Sequence, residues 1–349
     1  MTDNSKKILI VNVNWIGDVI FSTPFIKAVR LKYPDSYIAC LLHPRCVDIL
    51  KDNPRVDEII VYDEEGIHKG LIGKLKLIIF LRKKKFDIAF LLHRSFTKAL
   101  ITFLAKAKER IGYPTKKRGI FLTIPVEISD EEVHKVEYFL NLARACGIDT
   151  RDTTYEFFIK DSDRQKVRQF LSGNNIGDKD TLAVLCPGGN WEMKRWPKEN
   201  FALLADMLME RLGAKIVISG AKKDIALAES IKGMMRHIPV ISCGRTTLKE
   251  LGALLERANM VVANDTGPMH LAVAMKTNVI ALFGPTSPRL TGPYGQGHYH
   301  VMCKNEECDV PCYDLTCIDN RCMAAISVED VFREAEEMLI QNSKLKSQN

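Results

Sequence analysis

Residues 263–288 read "ANDTGPMHLAVAMKTNVIALFGPTSP". An apolar run over 260–265 ends at Asn264 and Asp265, and Thr266 and Gly267 make a turn. Pro268 suits a first helical position, which would leave Gly267 as the helix cap. A second apolar run, 278–284, follows the helix. The pattern is strand, turn, helix, strand. Its plain reading makes Asp265 a turn residue and packs His270 in the interior. Its chemical reading makes the turn an anion site, because free backbone N–H groups and the helix dipole converge there. Gly267 would then let a phosphate approach the backbone. Thr266 would add a hydroxyl, and His270 could donate a hydrogen bond to a phosphate or a leaving group.

The same alternation runs through the chain and argues for parallel α/β units. In the first half, strands are expected at 7–13, 37–43, 57–63, 86–93 and 110–114, with helix-length segments such as 70–85 and 95–107 between them. In the second half they are expected at 181–188, 214–220, 239–243, 260–265 and 278–284. The cores of two doubly wound halves therefore span about 1–150 and 180–325. Domain limits follow at 1–160 and 175–326, with a last helix and tail over 327–349. That helix opens with Ser327 and carries Asp330 three residues later, a capping-box pattern. The polar stretch 149–166 is expected to carry the joint. Two such domains in series put the carboxyl ends of two parallel sheets across one cleft, where open α/β sheets bind ligands.

Two more stretches fall at strand ends. "CPGGNWEMKRWPKENF" (186–201) places Gly188 and Gly189 where backbone can approach a ligand, then Lys194 and Arg195 just before a helix beginning at Pro197. A lysine there can neutralise a diphosphate as a point charge. The alternative is a solvated basic loop anchored by Trp191 and Trp196. "NVNWIGDVIFSTP" (12–24) follows the first apolar run and carries Asp18 behind a glycine. Asp is common in a first helical turn, so Asp18 either starts the helix or takes a proton from something. Pro24 makes the helix bend nearby, or delays its start until after Thr23.

Composition excludes little. The chain has 349 residues, 46% of them hydrophobic and 27% charged, as expected for a soluble protein with ordinary cores. No apolar run is long enough to span a bilayer, and the polar start lacks a signal-peptide core, so a cytoplasmic protein is expected. The net charge of +7 suits an anionic partner. No nucleic-acid-binding signature stands out. Five of the ten cysteines lie between Cys303 and Cys322, without the tight C-x2-C pair that zinc sites usually show. "LIGKLKLIIFLRKKK" (71–85) reads either as a helix lying on a membrane or as an internal α/β helix, and the second reading is favoured.

Taken together and in order, "ILIVNVNWIGDVIFSTPFIKAVR", "PGGNWEMKRWP" and "NDTGPMHLAVAMKTNVIALFGPTSP", with the tail "RCMAAISVEDV", resemble glycosyltransferase family 9, the ADP-heptose:lipopolysaccharide heptosyltransferases. Within it they are more similar to heptosyltransferase II than to I. The resemblance implies an α/β GT-B architecture, two Rossmann-like domains facing across a cleft, with nucleotide-sugar on the C-terminal domain and acceptor on the N-terminal one. It implies inverting transfer of L-glycero-D-manno-heptose from ADP-heptose to the inner-core heptose of a lipopolysaccharide precursor, with no metal or other cofactor. By family position Asp18 is the base. Lys194, Thr266, Gly267 and His270 face the diphosphate, Asp265 belongs to the nucleotide-sugar site, and Gly188 and Gly189 line it. After Gly220, where the family often carries an acid near the ribose, this chain has "AKKD", so Asp224 stands in for it.

The implied acceptor is a phosphorylated glycolipid, which brings peripheral contact with the cytosolic face of the inner membrane. Arg94 and Lys98, with Arg110, Lys116, Lys117 and Arg118, are the cations expected to meet its phosphates. A family 9 enzyme with another acceptor, or a non-catalytic nucleotide-sugar-binding protein of the same fold, are the competing readings.

Overall fold

Each half of the chain builds one six-stranded sheet, and every strand pairing is parallel. The computed structural model describes residues 5–128, 131–304, 308–312, 314 and 316–346. The first sheet contains Lys7–Val11 (β1), Tyr37–Leu42 (β2), Glu58–Val61 (β3), Ile88–Leu91 (β4), Glu109–Gly112 (β5) and Ile124–Pro125 (β6), in the order β3-β2-β1-β4-β5-β6. The second contains Leu182–Cys186 (β7), Lys215–Ile218 (β8), Val240–Ile241 (β9), Met260–Asn264 (β10), Val279–Phe283 (β11) and Tyr299–Cys303 (β12), in the order β12-β11-β10-β7-β8-β9. Both orders are the doubly wound Rossmann order, which reverses between β1 and β4 and again between β7 and β10.

All ten expected strands form. β6 and β12 were not expected, and both are edge strands. β6 is two exposed residues ending in proline, which an edge tolerates because one face of its ladder is unpaired. β12 reads Tyr-His-Val-Met-Cys and is only half buried, so it lacks the continuous apolar run of an inner strand.

The chain divides into two compact units, Met1–Phe158 and Ile159–Asn349. The break falls inside the polar 149–166 stretch. The helix Asp161–Ser172 then belongs to the second unit: Arg164 grips Glu256 at 2.7 Å, and Lys166 reaches Glu250 at 2.9 Å. The helix Val328–Lys346 also joins that unit. The Ser327 hydroxyl accepts the Asp330 N–H at 3.1 Å, and Val328, Val331, Phe332 and Ala335 enter the core that holds Trp196 and Phe201.

The helix Lys198–Leu212 buries Phe201, Leu204, Ala205 and Leu208 as its spacing predicts, but Pro197 is its N-cap rather than its first residue. Proline suits either place, since neither needs an N–H donor. The helix Gly70–Lys84 packs through Gly73, Leu77 and Leu81, one residue per turn, and its cationic last turn suits the helix dipole. No helix among the described residues is long and apolar enough to cross a membrane.

Candidate functional site

β7 and β10 are neighbours, with Ala263 paired to Cys186. Their carboxyl ends release two loops side by side at the point where the strand order reverses. Asn264, wholly buried, joins these loops. Its amide donates to Pro187 O at 2.9 Å and to Gly188 O at 3.3 Å, and its Oδ1 accepts the Trp196 N–H at 3.1 Å. Trp196 is anchored in turn, by donating its indole N–H to Ile326 O at 2.9 Å.

Asp265 is the hub of the site. It is 6% exposed, yet its Oδ2 accepts the Lys194 ammonium at 2.7 Å and the Thr286 hydroxyl at 2.8 Å. His270 Nε2 stands 3.7 Å from Oδ1, at ion-pair distance. Burial pushes this carboxyl up, but the neighbouring His270 and the Lys194 charge outweigh it and hold the group down to about 2. Asp265 is therefore an anion, and it fixes the Lys194 ammonium. The Lys194 ammonium also lies 5.1 Å over the Trp191 ring. An ammonium has three donors, so one bond to Asp265 leaves capacity for a ligand.

Thr266, in extended conformation (φ −148°, ψ 169°), is the N-cap of the helix Gly267–Ala274. The helix thus begins one residue earlier than expected, with Gly267 first and Pro268 second. The Thr266 carbonyl accepts Met269 N–H at 3.1 Å, and its hydroxyl donates to Asn264 O at 3.2 Å. The N–H groups of Thr266 and Gly267 have no acceptor within the helix, and the dipole adds positive potential there. His270 is buried in the helix's first turn.

β8 brings Asp224 to the same edge. Asp224 is buried and accepts the Ala221 N–H at 2.9 Å, closing a turn before the helix Ile225–Met234. A Cβ on Gly188 would lie 2.8 Å from the Asp224 carboxyl group, so glycine is what lets Asp224 sit there. Gly189 is different: a Cβ on it would meet its neighbours at 3.5 Å or more, and its carbonyl accepts Arg195 Nη2 at 2.7 Å.

In the first unit the expected acid, Asp18, stands in the first turn of a short helix, Ile16–Phe21. Both readings of the Pro24 region hold in part: this helix ends at Phe21 with Ser22 as its C-cap, and a second one, Thr23–Lys32, carries Pro24 in its first turn. The loop before Asp18 is fixed from both sides. Asn12 donates to Ser22 Oγ at 2.9 Å, and Lys98 donates to Asn14 Oδ1 at 2.7 Å. Lys98 is 2% exposed, with Glu64 at 3.5 Å. Burial lowers its ammonium to about 8 against the opposing pull of Glu64. This corrects the expectation for Lys98. Its donors are committed to the Asp18 loop, which makes it a positioning residue and not a surface cation for acceptor phosphates.

Two further cations are corrected in the same way. Arg118 is wholly buried and donates to Tyr113 O at 2.7 Å and to His93 O, and Arg110 donates to Phe121 O. They hold the 113–121 segment in place. Arg94 differs from these three. It is exposed, stacked 4.4 Å from the Tyr138 ring and donating to its hydroxyl at 2.7 Å.

A sequence profile of glycosyltransferase family 9 (heptosyltransferase) matches residues 74–322. The chain belongs to that family. Lipopolysaccharide heptosyltransferase 3 of Escherichia coli K12 is 27% identical over 350 residues, covering 95% of this chain and 98% of that one. Lipopolysaccharide heptosyltransferase 2 of Salmonella typhimurium is 28% identical over 298 residues, covering 82% and 85%. The family 9 structure from Veillonella parvula DSM 2008 superposes with a TM-score of 0.89 at 28% identity, covering 98% and 99%. The Escherichia coli ADP-heptose heptosyltransferase II structure gives 0.81 at 24%, covering 97% and 99%, a likeness of fold. The two Rossmann-like sheets are those of the GT-B architecture.

Sequence reading of this family 9 enzyme missed Asn12, Asn14, Asn264 and Thr286, whose roles depend on strands meeting in space. Among the described residues no group of three or more His, Cys, Asp or Glu is placed to hold a metal ion. In the cysteine cluster Cys303 is exposed and Cys322 buried, while positions 305–307, 313 and 315 lie outside the described residues.

Proposed function

We propose that this family 9 enzyme is an inverting heptosyltransferase. It moves L-glycero-D-manno-heptose from ADP-heptose to the inner-core heptose of a lipopolysaccharide precursor. The observation that carries this reading is the ammonium of Lys194, held by Asp265, which Thr286 holds in turn, beside the helix N-terminus at Gly267. Such a cluster suits a diphosphate whose charge grows as it leaves.

In this reading an acceptor hydroxyl oxygen bonds to the anomeric carbon from the face opposite ADP, and the bond from that carbon to the β-phosphate oxygen breaks. The hydroxyl proton passes to Asp18, the general base. Lys194 and the N–H groups of Thr266 and Gly267 receive the diphosphate charge in the transition state. His270 lies in the same turn and helps to keep Asp265 ionised. These groups supply the positive charge that a divalent cation supplies elsewhere, so metal independence is part of the proposal. Asp224 and Gly188 border the nucleotide side. Arg94, with exposed Lys116 and Lys117, offers charge to acceptor phosphates.

Structures similar in fold were solved with ADP and with ADP-2-deoxy-2-fluoro heptose, which supports the choice of donor. Curated relatives carry the names heptosyltransferase 2 and 3 at 28% and 27% identity, so the acceptor is the open variable. Incubation with ADP-heptose and a panel of truncated core acceptors, read by product mass, tests the assignment. Transfer to a core already bearing one heptose is the expected result. Transfer only to a different acceptor moves the chain to another subtype. ADP binding without transfer to any acceptor leaves a nucleotide-sugar-binding protein.

A further inference from the structure

The helix Gly70–Lys84 is apolar on two sides. Gly73, Leu77 and Leu81 form the stripe that packs into the first unit, and this stripe alone satisfies an α/β helix. On its other side Leu71, Ile72, Leu75, Ile79 and Phe80 face solvent, with exposures from 44% to 87%. Five large apolar side chains on one exposed helix face are more than scattered surface residues. Lys76, Arg82 and Lys83 are exposed on the same helix, whereas Lys84 is engaged by Glu58 at 2.5 Å.

The surface continues beyond this helix. Beside Arg82 lies a hollow of about 420 Å³, walled by Phe103 and Leu104 at the end of the next helix, Phe96–Leu104, and by Lys106, Lys108 and Arg110. Phe103 and Leu104 are each more than 40% exposed. Charge is concentrated in the same stretch. Residues 66–126 contain fifteen Lys and Arg against two acids, Asp87 and Glu109, a net +13. The whole chain carries +7, so the remainder carries −6.

An exposed helix face on which lysine and arginine are interleaved with large apolar side chains, in a strongly cationic segment, matches a surface that is apolar inside and anionic at its headgroups. A protein partner would need a shaped apolar surface with a matching acidic rim. A bilayer needs only the side chains to reach the acyl boundary while the cations meet phosphate. We propose that the outer face of the Gly70–Lys84 helix, with the adjoining Phe103–Leu104 corner, docks the enzyme on an anionic lipid bilayer. This rests on the proposed function only in that a lipid-linked acceptor gives such a surface its use. The test needs no sugar donor, so the two can fail separately.

Flotation of the full-length chain with vesicles tests it. One set of vesicles is pure phosphatidylcholine, and in the other about a third of the lipid is phosphatidylglycerol. The wild type is expected to float with the anionic vesicles and to partition at least about tenfold less into the neutral ones. The double substitution Leu75→Glu with Ile79→Glu is expected to lower anionic-vesicle binding by about tenfold or more while retaining the wild-type melting temperature, since both side chains are exposed. Lys76→Glu with Lys83→Glu provides a second variant that leaves the apolar face intact and should also weaken binding. Leu203→Glu, at an exposed apolar position of the second unit, should leave it unchanged. Equal partitioning of the wild type into both vesicle types overturns the proposal, as does wild-type binding by both double variants. A wild-type dimer that the Leu75/Ile79 variant converts to monomer, with vesicle binding unaltered, overturns it in favour of contact between copies.

Discussion

Lys194 Nζ lies 2.7 Å from Asp265 Oδ2, and the two residues come from loops 71 positions apart that follow neighbouring strands. A flexible lysine at a loop edge would ordinarily sample many rotamers. Here a buried carboxylate, itself held by Thr286, fixes the ammonium beside a helix N-terminus. The arrangement orders the cation before any ligand arrives, which lowers the cost of binding an anion there.

Removal of that cation should therefore reduce chemistry more than folding. Lys194→Ala is expected to lower kcat/KM for ADP-heptose by about 10²-fold or more, the scale for losing one donor to developing charge. Lys194→Arg should recover only part, because a planar fork does not replace a point charge held by a single oxygen. Steady-state kinetics of the two variants checks both statements. Wild-type rates in Lys194→Ala would remove Lys194 from the diphosphate.

The base is tested by a substitution that keeps shape. Asp18→Asn should reduce transfer by about 10²–10⁴-fold, since a positioned base contributes on that scale. ADP affinity by calorimetry should stay within about twofold, because the nucleotide contacts are assigned to the other unit. A parallel collapse of ADP affinity would make Asp18 a structural residue.

Asp265 gives a pH-dependent stability. Its carboxyl is held from an ordinary 3.8 down to about 2 in the folded protein. A folded value below the unfolded one means that the unfolded chain binds the proton more readily. The stabilisation is thus fully present above about pH 4 and is lost as the pH falls through 2. It amounts to about 2 kcal/mol. Urea denaturation of wild type and Asp265→Asn should show a gap that is constant near neutrality and shrinks between about pH 4 and pH 2. A gap independent of pH would detach the effect from this carboxylate.

Lys98 shifts with the opposite consequence. Its folded value of about 8 lies below the ordinary 10.5, so burial of the charged form costs stability at neutral pH. That cost fades as pH rises from about 8 to 10.5. The wild type should gain stability relative to Lys98→Met across that window. The same variant should lose activity at neutral pH without losing stability, because Asn14 and the loop before Asp18 lose their anchor. Activity equal to wild type would end the positioning role.

Gly188 and Gly189 separate on steric grounds. Gly188→Ala places a Cβ at 2.8 Å from the Asp224 carboxyl group, which is already bonded to Ala221 N–H. A loss of about 1–3 kcal/mol in stability is expected, as for overpacking elsewhere. Gly189→Ala meets only ordinary contacts and should melt within a few degrees of wild type. Thermal melts of the pair decide the matter.

Much of this molecule is local in origin. The inner strands are short continuous apolar runs and the helices repeat their apolar residues every three or four positions, so ten strands and the two-sheet organisation follow from nearest-neighbour chemistry. The Asp265-Thr266-Gly267 turn was legible for the same reason, down to a one-residue error in the helix start, because glycine, proline and threonine act on their own backbone. The edge strands β6 and β12 were not, since pairing on one side demands little of composition.

The sequence by itself determined the kinds of elements, their succession, and where the glycine-bearing turns fall at the strand ends. Only the tertiary structure decided who meets whom. β7 and β10 lie side by side although 73 residues separate Cys186 from Met260, and that adjacency brings Lys194 to Asp265 and Asn264 to the Gly188 loop. In the first unit the packing turned Lys98 and Arg118 inward, where charge is held by backbone and amide oxygens, and left an apolar helix face outward. Strand order and side-chain burial are set by the global packing of both sheet faces, which no short window of sequence contains.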